Sequence, residues 1–189
     1  MLIVETGAGD NPAANSYVSR AECDAYHAEM GNSAWTPRPT SPASPQPEEP
    51  LGDAAIIRAT RAIDRIYGAR FKGIRTHFST QPLEWPRNGV SLYESLGTTD
   101  ETEVESNAVE NDVIPSMLKQ AVFEAALREL ASPGTMTPDL DRGGEIKRVQ
   151  AGPVAVEYKD SAPAATLRTS ISGIIAQLLR PRSIDIEVA

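Results

Sequence analysis

The feature that most constrains the fold is an apolar helix pattern with a proline at each end. It runs from Pro115 to about Ala131 and is followed by Pro133-Gly134. Proline suits the first turn of a helix because its missing N–H has no helical partner there, whereas Pro-Gly stops a helix. The apolar side chains cover most of the circumference, so other elements must surround this helix. They are Leu118, Ala121, Val122, Phe123, Ala125, Leu127 and Leu130.

Three further helices are predicted to pack around it. Ser19 and Glu22 form a capping-box pattern, which opens a helix that stops at Gly31. A second helix is predicted from Asp53 to Gly68, with one apolar stripe and one arginine face. A fourth amphipathic helix is indicated by its apolar spacing. Its positions are Leu167, Ile171, Ile174, Ile175 and Leu178.

Two-residue periodicity appears in the C-terminal third and at both ends of the chain. Residues 144–158 alternate around the turn Ala151-Gly-Pro and predict a β-hairpin. Residues 2–4 predict a short strand, and residues 181–189 predict a free C-terminal arm. The expected fold is mainly α: a small bundle of about four helices with one β-hairpin and extended terminal arms.

Two biased segments interrupt the helical core. Residues 36–50 contain six prolines and predict an exposed extended loop. Residues 91–112 are acidic, without Lys or Arg, and predict a mobile insertion. The stretch 69–90 between helices is basic and is predicted to be irregular. We find no repeat, so residues 1–189 are expected to form a single domain.

Composition argues against an enzyme. The single Cys23 and the two distant histidines, His27 and His77, make a disulfide framework, a histidine-rich metal site or a His-dependent triad unexpected. No dinucleotide, P-loop or G-x-S-x-G spacing occurs. We therefore expect no catalytic residue, no metal and no cofactor. The short apolar N-terminus lacks a basic n-region, and no stretch suits a membrane span, so an intracellularly made protein without a membrane partner is expected.

Positive charge is concentrated although the net charge is −8. Arg58, Arg61 and Arg65 share one face of the second helix, and Arg87 follows in the basic stretch. Lys147-Arg148 lies on the predicted hairpin. Guanidinium groups bind phosphates bidentately, so these residues are candidates for DNA contacts. The alternatives are solvated faces and salt bridges between subunits.

Trp85 lies between Leu83 and Pro86 in a stretch that reads Gln81-Pro-Leu-Glu-Trp-Pro-Arg-Asn-Gly. An exposed indole beside cations could stack on a nucleic-acid base. However, the residue before proline is restricted to extended conformations, and Leu83 and Trp85 alternate so that both can face the helices. The pattern favours a loop anchor, with base stacking or a subunit contact as alternatives.

The order of motifs resembles a family of tailed-bacteriophage head–tail connector (adaptor or head-completion) proteins, whose members are often labelled DnaT-like single-stranded-DNA-binding proteins. The resemblance covers most of the chain outside 36–50 and 91–112. The motifs are Asn15-Ser-Tyr-Val-Ser, Ala59-Thr-Arg-Ala-Ile-Asp-Arg-Ile-Tyr-Gly, Phe71-Lys-Gly-Ile-Arg-Thr, the Trp85 stretch, Ile114-Pro before the alanine-rich helix, and Gly144-Glu-Ile-Lys-Arg-Val-Gln-Ala-Gly-Pro-Val-Ala-Val-Glu-Tyr.

The resemblance implies a structural virion protein made in the host bacterial cytoplasm and placed at the neck of the particle. Such adaptors form a ring, usually a dodecamer, that extends the portal channel for double-stranded DNA and docks the stopper or tail completion protein. The resemblance implies that the arm carrying Ile184, Ile186 and Val188 binds the portal protein. The competing reading is a phage single-stranded-DNA-binding protein.

Overall fold

The protein is a mainly α-helical bundle, as the sequence predicts. Its long helices are α1 (Arg20–Glu29), α2 (Glu49–Tyr67) and α3 (Ser116–Ala131). A short helical segment at 170–174 continues into a 3-10 turn at Ala176–Leu178. The computed structural model describes residues 1–35, 49–92, 108–137, 148–151, 154–157 and 170–180.

Helix α3 lies at the centre and packs along α2. Its bounds agree with the prediction, since Pro115 is the N-cap residue and Ala131 the last helical residue. Small side chains at the interface allow the two helices to approach closely. The fully buried residues of the pair include Ile56, Ala59 and Ile63 of α2, and Leu118, Ala121, Val122 and Ala125 of α3.

Helix α1 begins with the predicted capping box. The Ser19 hydroxyl accepts a hydrogen bond from the Glu22 backbone N–H at 3.2 Å, and the Glu22 carboxylate accepts from the Ser19 N–H at 2.7 Å. Two N–H groups that the helix cannot satisfy are thereby paired. Lys119 of α3 binds the other Glu22 oxygen at 2.8 Å, which connects this helix start to the central helix.

The predicted start of α2 at Asp53 is wrong. The helix begins at Glu49, so the end of the proline-rich segment belongs to it. Pro50 is compatible with this start because a first-turn residue needs no N–H donor. Asp53 lies inside the helix, 3.9 Å from the Arg20 guanidinium. Residues 36–48 lie outside the described residues.

The stretch 69–90 is more ordered than predicted. Strand β1 (Ile74–Arg75) pairs antiparallel with β2 (Arg87–Asn88), and β3 (Val90–Ser91) pairs with β4 (Ala108–Val109). Strand β4 belongs to the predicted acidic insertion, whose last residues are thus part of the fold. These strands have two residues each, which is too short for a periodicity to show in the sequence.

The predicted β-hairpin is confirmed, with β5 (Arg148–Ala151) antiparallel to β6 (Val154–Glu157). The fourth helix ends earlier than predicted: after 170–174 the chain tightens into a 3-10 turn, and Leu179 forms an antiparallel bridge with Phe71. The predicted position Leu167 lies outside the described residues. The predicted N-terminal strand is reduced to a single bridge between Val4 and Ser16. The predicted arm 181–189 lies outside the described residues.

The loop that carries Trp85 is fixed to the core by its apolar side chains. Trp85 is fully buried and Leu83 is 5% exposed. The Trp85 indole packs edge-on against the Phe71 ring, with centroids 5.7 Å apart and an interplanar angle of 81°. Aromatic pairs prefer this arrangement. Base stacking by Trp85 is therefore incompatible with the structure.

A polar network fixes the same loop to α2. The Tyr17 hydroxyl donates a hydrogen bond to the Asp64 carboxylate at 2.6 Å and accepts one from the backbone N–H of Trp85 at 3.2 Å. The other Asp64 oxygen accepts from the Glu84 N–H at 3.1 Å. Burial raises the pKa of Asp64 to about 7 against the opposing effect of these donors, and it also raises the pKa of Tyr17.

Replacing Trp85 with alanine is expected to lower the free energy of unfolding by about 3–5 kcal/mol, because the indole leaves a cavity between the loop and α2. Urea denaturation of both proteins measures this loss. The matched control is Leu51→Ala on the exposed side of α2, where the leucine is 61% exposed. Equal effects of the two substitutions would contradict the anchoring role of Trp85.

The raised pKa of Asp64 predicts a pH dependence of stability. Between pH 3.8 and about 7 the folded protein holds a proton on Asp64 that the unfolded chain has lost. Stability from this group is therefore greatest at low pH and falls as the pH rises through this window.

Asp64→Asn removes this titration, so the difference in unfolding free energy between wild type and variant should change across the window. Other groups, including His27, titrate in both proteins and cancel in the difference. A difference that is constant from pH 4 to 7 would refute the prediction.

Candidate nucleic-acid interface

Arg58 is partly exposed, with 37% of its side chain accessible, and its guanidinium is bound by Glu129 of the same chain. Its Nε donates to the Glu129 carboxylate at 3.1 Å, and Nη2 donates to the Glu129 carbonyl at 3.1 Å. The Glu129 carboxylate is buried and also accepts the N–H groups of Gly134 and Met136. The ion pair thus closes the end of α3. The guanidinium that was predicted to make an external contact is thus engaged by a carboxylate within the chain, and the external contact stays a prediction.

Arg87 is likewise a structural residue. Only 6% of it is exposed, and its guanidinium donates to the carbonyls of Lys72 and Gly73 at 2.8 and 3.0 Å. It also pairs with the Glu84 carboxylate at 2.7 Å and lies over the Phe71 ring at 5.9 Å. These bonds connect both sides of the β1–β2 pair. Arg87 is therefore not available to a neighbouring subunit or to DNA, contrary to the prediction.

Arg61 and Arg65 remain exposed on the last turns of α2. They are four residues apart and so lie on one face of the helix. Within the described parts of the chain, neither forms an ion pair. Of the three arginines predicted to share this face, these two keep the positive charge available to a ligand.

A second group of cations follows directly after α2. The chain at Phe71 forms an antiparallel bridge with Leu179, and two backbone hydrogen bonds flank it: Arg180 N–H to Arg70 O at 2.8 Å and Lys72 N–H to Leu178 O at 2.9 Å. This register places Arg70 directly opposite Arg180. Phe71 and Leu179 are buried, whereas Arg180 is exposed and Arg70 and Lys72 are half-buried, so these three cations are accessible at the surface.

The opposition of two arginines is unfavourable unless something negative lies near them, because like charges directly across a strand pair repel. Arg180 reaches the Gly73 carbonyl at 3.4 Å, and Lys72 Nζ donates to the Ser91 carbonyl at 3.1 Å. These partners are neutral. In the described residues, no carboxylate forms an ion pair with any of five cations, of which Arg61, Arg65 and Arg180 are exposed and Arg70 and Lys72 are half-buried. We call Arg61, Arg65, Arg70, Lys72 and Arg180 the cationic surface.

The sequence indicated only part of this surface. Arg61 and Arg65 were predicted as contacts from their helical spacing, whereas Arg70 and Lys72 appeared only as members of a basic stretch. Arg180 has no sequence signal, because the register of the Phe71–Leu179 bridge brings it there from 110 residues away. Lys147 and the portal-arm residues Ile184, Ile186 and Val188 lie outside the described residues. Arg148 begins β5, and its side chain is not described.

A reactive Cys23 or a metal-binding cluster would give the described residues another kind of site. Burial raises the pKa of the Cys23 thiol to about 12, so it remains protonated and unreactive at neutral pH. In the part of the chain that the structure describes, no three His, Cys, Asp or Glu side chains come together in a way that could hold a metal ion. None of the described helices is long and apolar enough to cross a membrane.

A cleft with a volume of about 460 Å³ lies beside α1. Its polar groups already have partners within the protein. His27 binds the Phe123 carbonyl through Nε2 at 3.1 Å and the Asn32 amide through Nδ1 at 3.0 Å. Asp24 accepts the Trp35 indole N–H at 2.7 Å and pairs with Arg20. The hydrogen bonds of His27 and Asp24 in this cleft therefore hold α1 against its neighbours.

Comparison with known proteins gives one match. Searches of curated proteins and of solved structures find no similar chain. A protein-family model described as "Putative DnaT-like ssDNA binding protein" matches residues 1–188, which is nearly the whole sequence. The label agrees with one part of the resemblance noted from the motifs, whereas the head–tail connector assignment has no match of its own. The chain belongs to this DnaT-like family.

Proposed function

We propose that this protein binds single-stranded DNA through the cationic surface. The observation that carries the proposal is the opposition of Arg70 and Arg180 across the Phe71–Leu179 bridge, with Lys72 beside them. Guanidinium groups on opposite residues can bind one phosphate through paired N–H donors, and the phosphate then offsets the unfavourable opposition of like charges. The description of the matching family supports the same ligand.

The arrangement favours a backbone-directed mode of binding. Arg61 and Arg65 extend the positive charge along α2, so several phosphates of one strand can lie against the surface in succession. Such contacts carry no sequence information, and their affinity falls as salt rises because bound counterions are released from the DNA. The net charge of −8 limits binding elsewhere on the protein and confines DNA to this surface.

The double variant Arg70→Gln/Arg180→Gln tests the proposal. Each lost phosphate contact lowers the salt dependence, so the slope of log affinity against log salt should decrease in magnitude by about 1.4 for two contacts with a single strand. Fluorescence anisotropy with labelled oligothymidine measures affinity and slope. The charge-matched control is Lys119→Gln/Arg128→Gln on α3, where both cations already pair with carboxylates. If both double variants bind like the wild type, the surface is not the binding site.

A second candidate function is the head–tail adaptor. It is supported by the exposure of Arg61 and Arg65 without a carboxylate partner among the described residues. In a closed ring, one patch of each subunit meets a different patch of its neighbour, and an acidic patch would complement these arginines. In this proposal the ring would sit at the virion neck, bind the portal protein and the stopper or tail completion protein, and pass double-stranded DNA.

Arg61→Glu separates this second function from the first. Repulsion from an acidic neighbour should prevent the ring from forming, whereas Arg61→Lys keeps the charge and should assemble. Native mass spectrometry and electron microscopy of the protein mixed with portal measure assembly. A ring that forms equally well with Arg61→Glu would count against this contact.

A further inference from the structure

Phe78 has an unusual position for a large apolar residue. It is 65% exposed, and its backbone has a φ of 47°, in the left-handed region. A bulky side chain in this region is disfavoured, and such strain concentrates at functional sites. The turn is nevertheless closed by two bonds to the His77 carbonyl, from the Thr80 N–H at 3.2 Å and the Thr80 hydroxyl at 2.9 Å. The protein thus holds an aromatic ring outside its core.

Cations lie close to this ring along the chain. The Arg75 guanidinium donates to the Gln81 carbonyl at 3.3 Å, so its side chain spans the base of the turn that carries Phe78. Lys72 of the cationic surface precedes Arg75 by three residues, and the chain between them bends at Gly73, whose φ is 67°. An apolar side chain, Ile74, is 54% exposed between them. The segment that carries Lys72 and Arg75 therefore leads directly into the turn that carries the exposed Phe78 ring.

Carboxylates lie on the other side of the turn that carries Phe78. The Thr76 hydroxyl donates to the Asn111 carbonyl at 3.0 Å, which brings the exposed residues Glu110 and Asp112 next to the turn. These carboxylates repel phosphates. A strand passing Phe78 would therefore keep its backbone on the Arg75 and Lys72 side. Its bases would be directed toward the ring.

We propose that Phe78 stacks on an unpaired base of the strand held by the cationic surface. This inference rests on the proposed function and adds to it the group that recognises bases. The bases of a duplex are stacked on each other and cannot reach the ring, so Phe78 provides a preference for single strands that the arginines alone do not give. Stacking accepts every base, because each has a π-face.

The test compares two oligomers with the same number of phosphates, oligothymidine and its abasic counterpart. The wild type should bind oligothymidine at least about fivefold more tightly, which corresponds to the lower range for stacking on one aromatic side chain. Phe78→Ala should bind both oligomers equally, at the affinity of the wild type for the abasic strand. Phe78→Tyr keeps a ring and should retain the preference.

Controls separate this inference from the proposed function. Ile74→Ala removes a neighbouring exposed apolar group and should retain the preference. Phe78→Gly suits the positive φ, so it removes the ring while relieving backbone strain. A thermal melt of each variant verifies folding.

If Phe78→Ala and Phe78→Gly keep the preference for oligothymidine while Arg70→Gln/Arg180→Gln weakens binding, the stacking role is wrong and the cationic surface stands. If the wild type binds neither oligomer, both proposals fail. A change in oligomeric state of Phe78→Ala without a change in DNA binding would assign the ring to a contact between copies of the chain and overturn the inference.

Discussion

The hydrogen bond between Tyr17 and Asp64 is the constraint on which the arrangement of the loops depends. It joins the N-terminal segment to α2, and the same hydroxyl accepts the Trp85 N–H, while Asp64 also accepts from Glu84. Three parts of the chain that are distant in sequence therefore meet at one pair of side chains. Because these bonds hold the loop that carries Trp85, the guanidinium of Arg87 can donate to the carbonyls of Lys72 and Gly73, which precede β1. The orientation of the cationic surface follows from this chain of contacts.

Much of the helical fold could be predicted because its signals are local. The capping box at Ser19 and the proline at position 115 act within one helical turn, and both gave the correct helix start. The apolar pattern of α3 required a surrounding bundle, which the structure has. The start of α2 was misplaced because Asp53 resembles a cap, although Pro50 is compatible with an earlier first turn. The two-residue strands depend on tertiary pairing and leave no periodic pattern.

The candidate site could be predicted only in part, because charge in the sequence does not reveal its partner. Arg58 and Arg87 looked like Arg61 and Arg65, yet Arg58 pairs with Glu129, which lies 71 residues away. Arg87 binds carbonyl groups, which every residue has and no sequence pattern marks. The reverse holds for Arg180, which becomes part of a surface only through a backbone bridge. Sequence spacing identifies the residues that share a helix face, and tertiary contacts decide which of them remain exposed.

The pairing of β3 with β4 brings together the two ends of the sequence between them. Ser91 lies opposite Ala108, so the two ends of the intervening sequence are fixed side by side. Lengthening a flexible loop between fixed ends adds little cost, about 0.6 kcal/mol for each doubling of its length. A change in the number of residues between Ser91 and Ala108 should therefore alter the entropy of loop closure only slightly. A tag or a binding peptide could be inserted between β3 and β4, because the pairing of these strands fixes the two ends of the insertion.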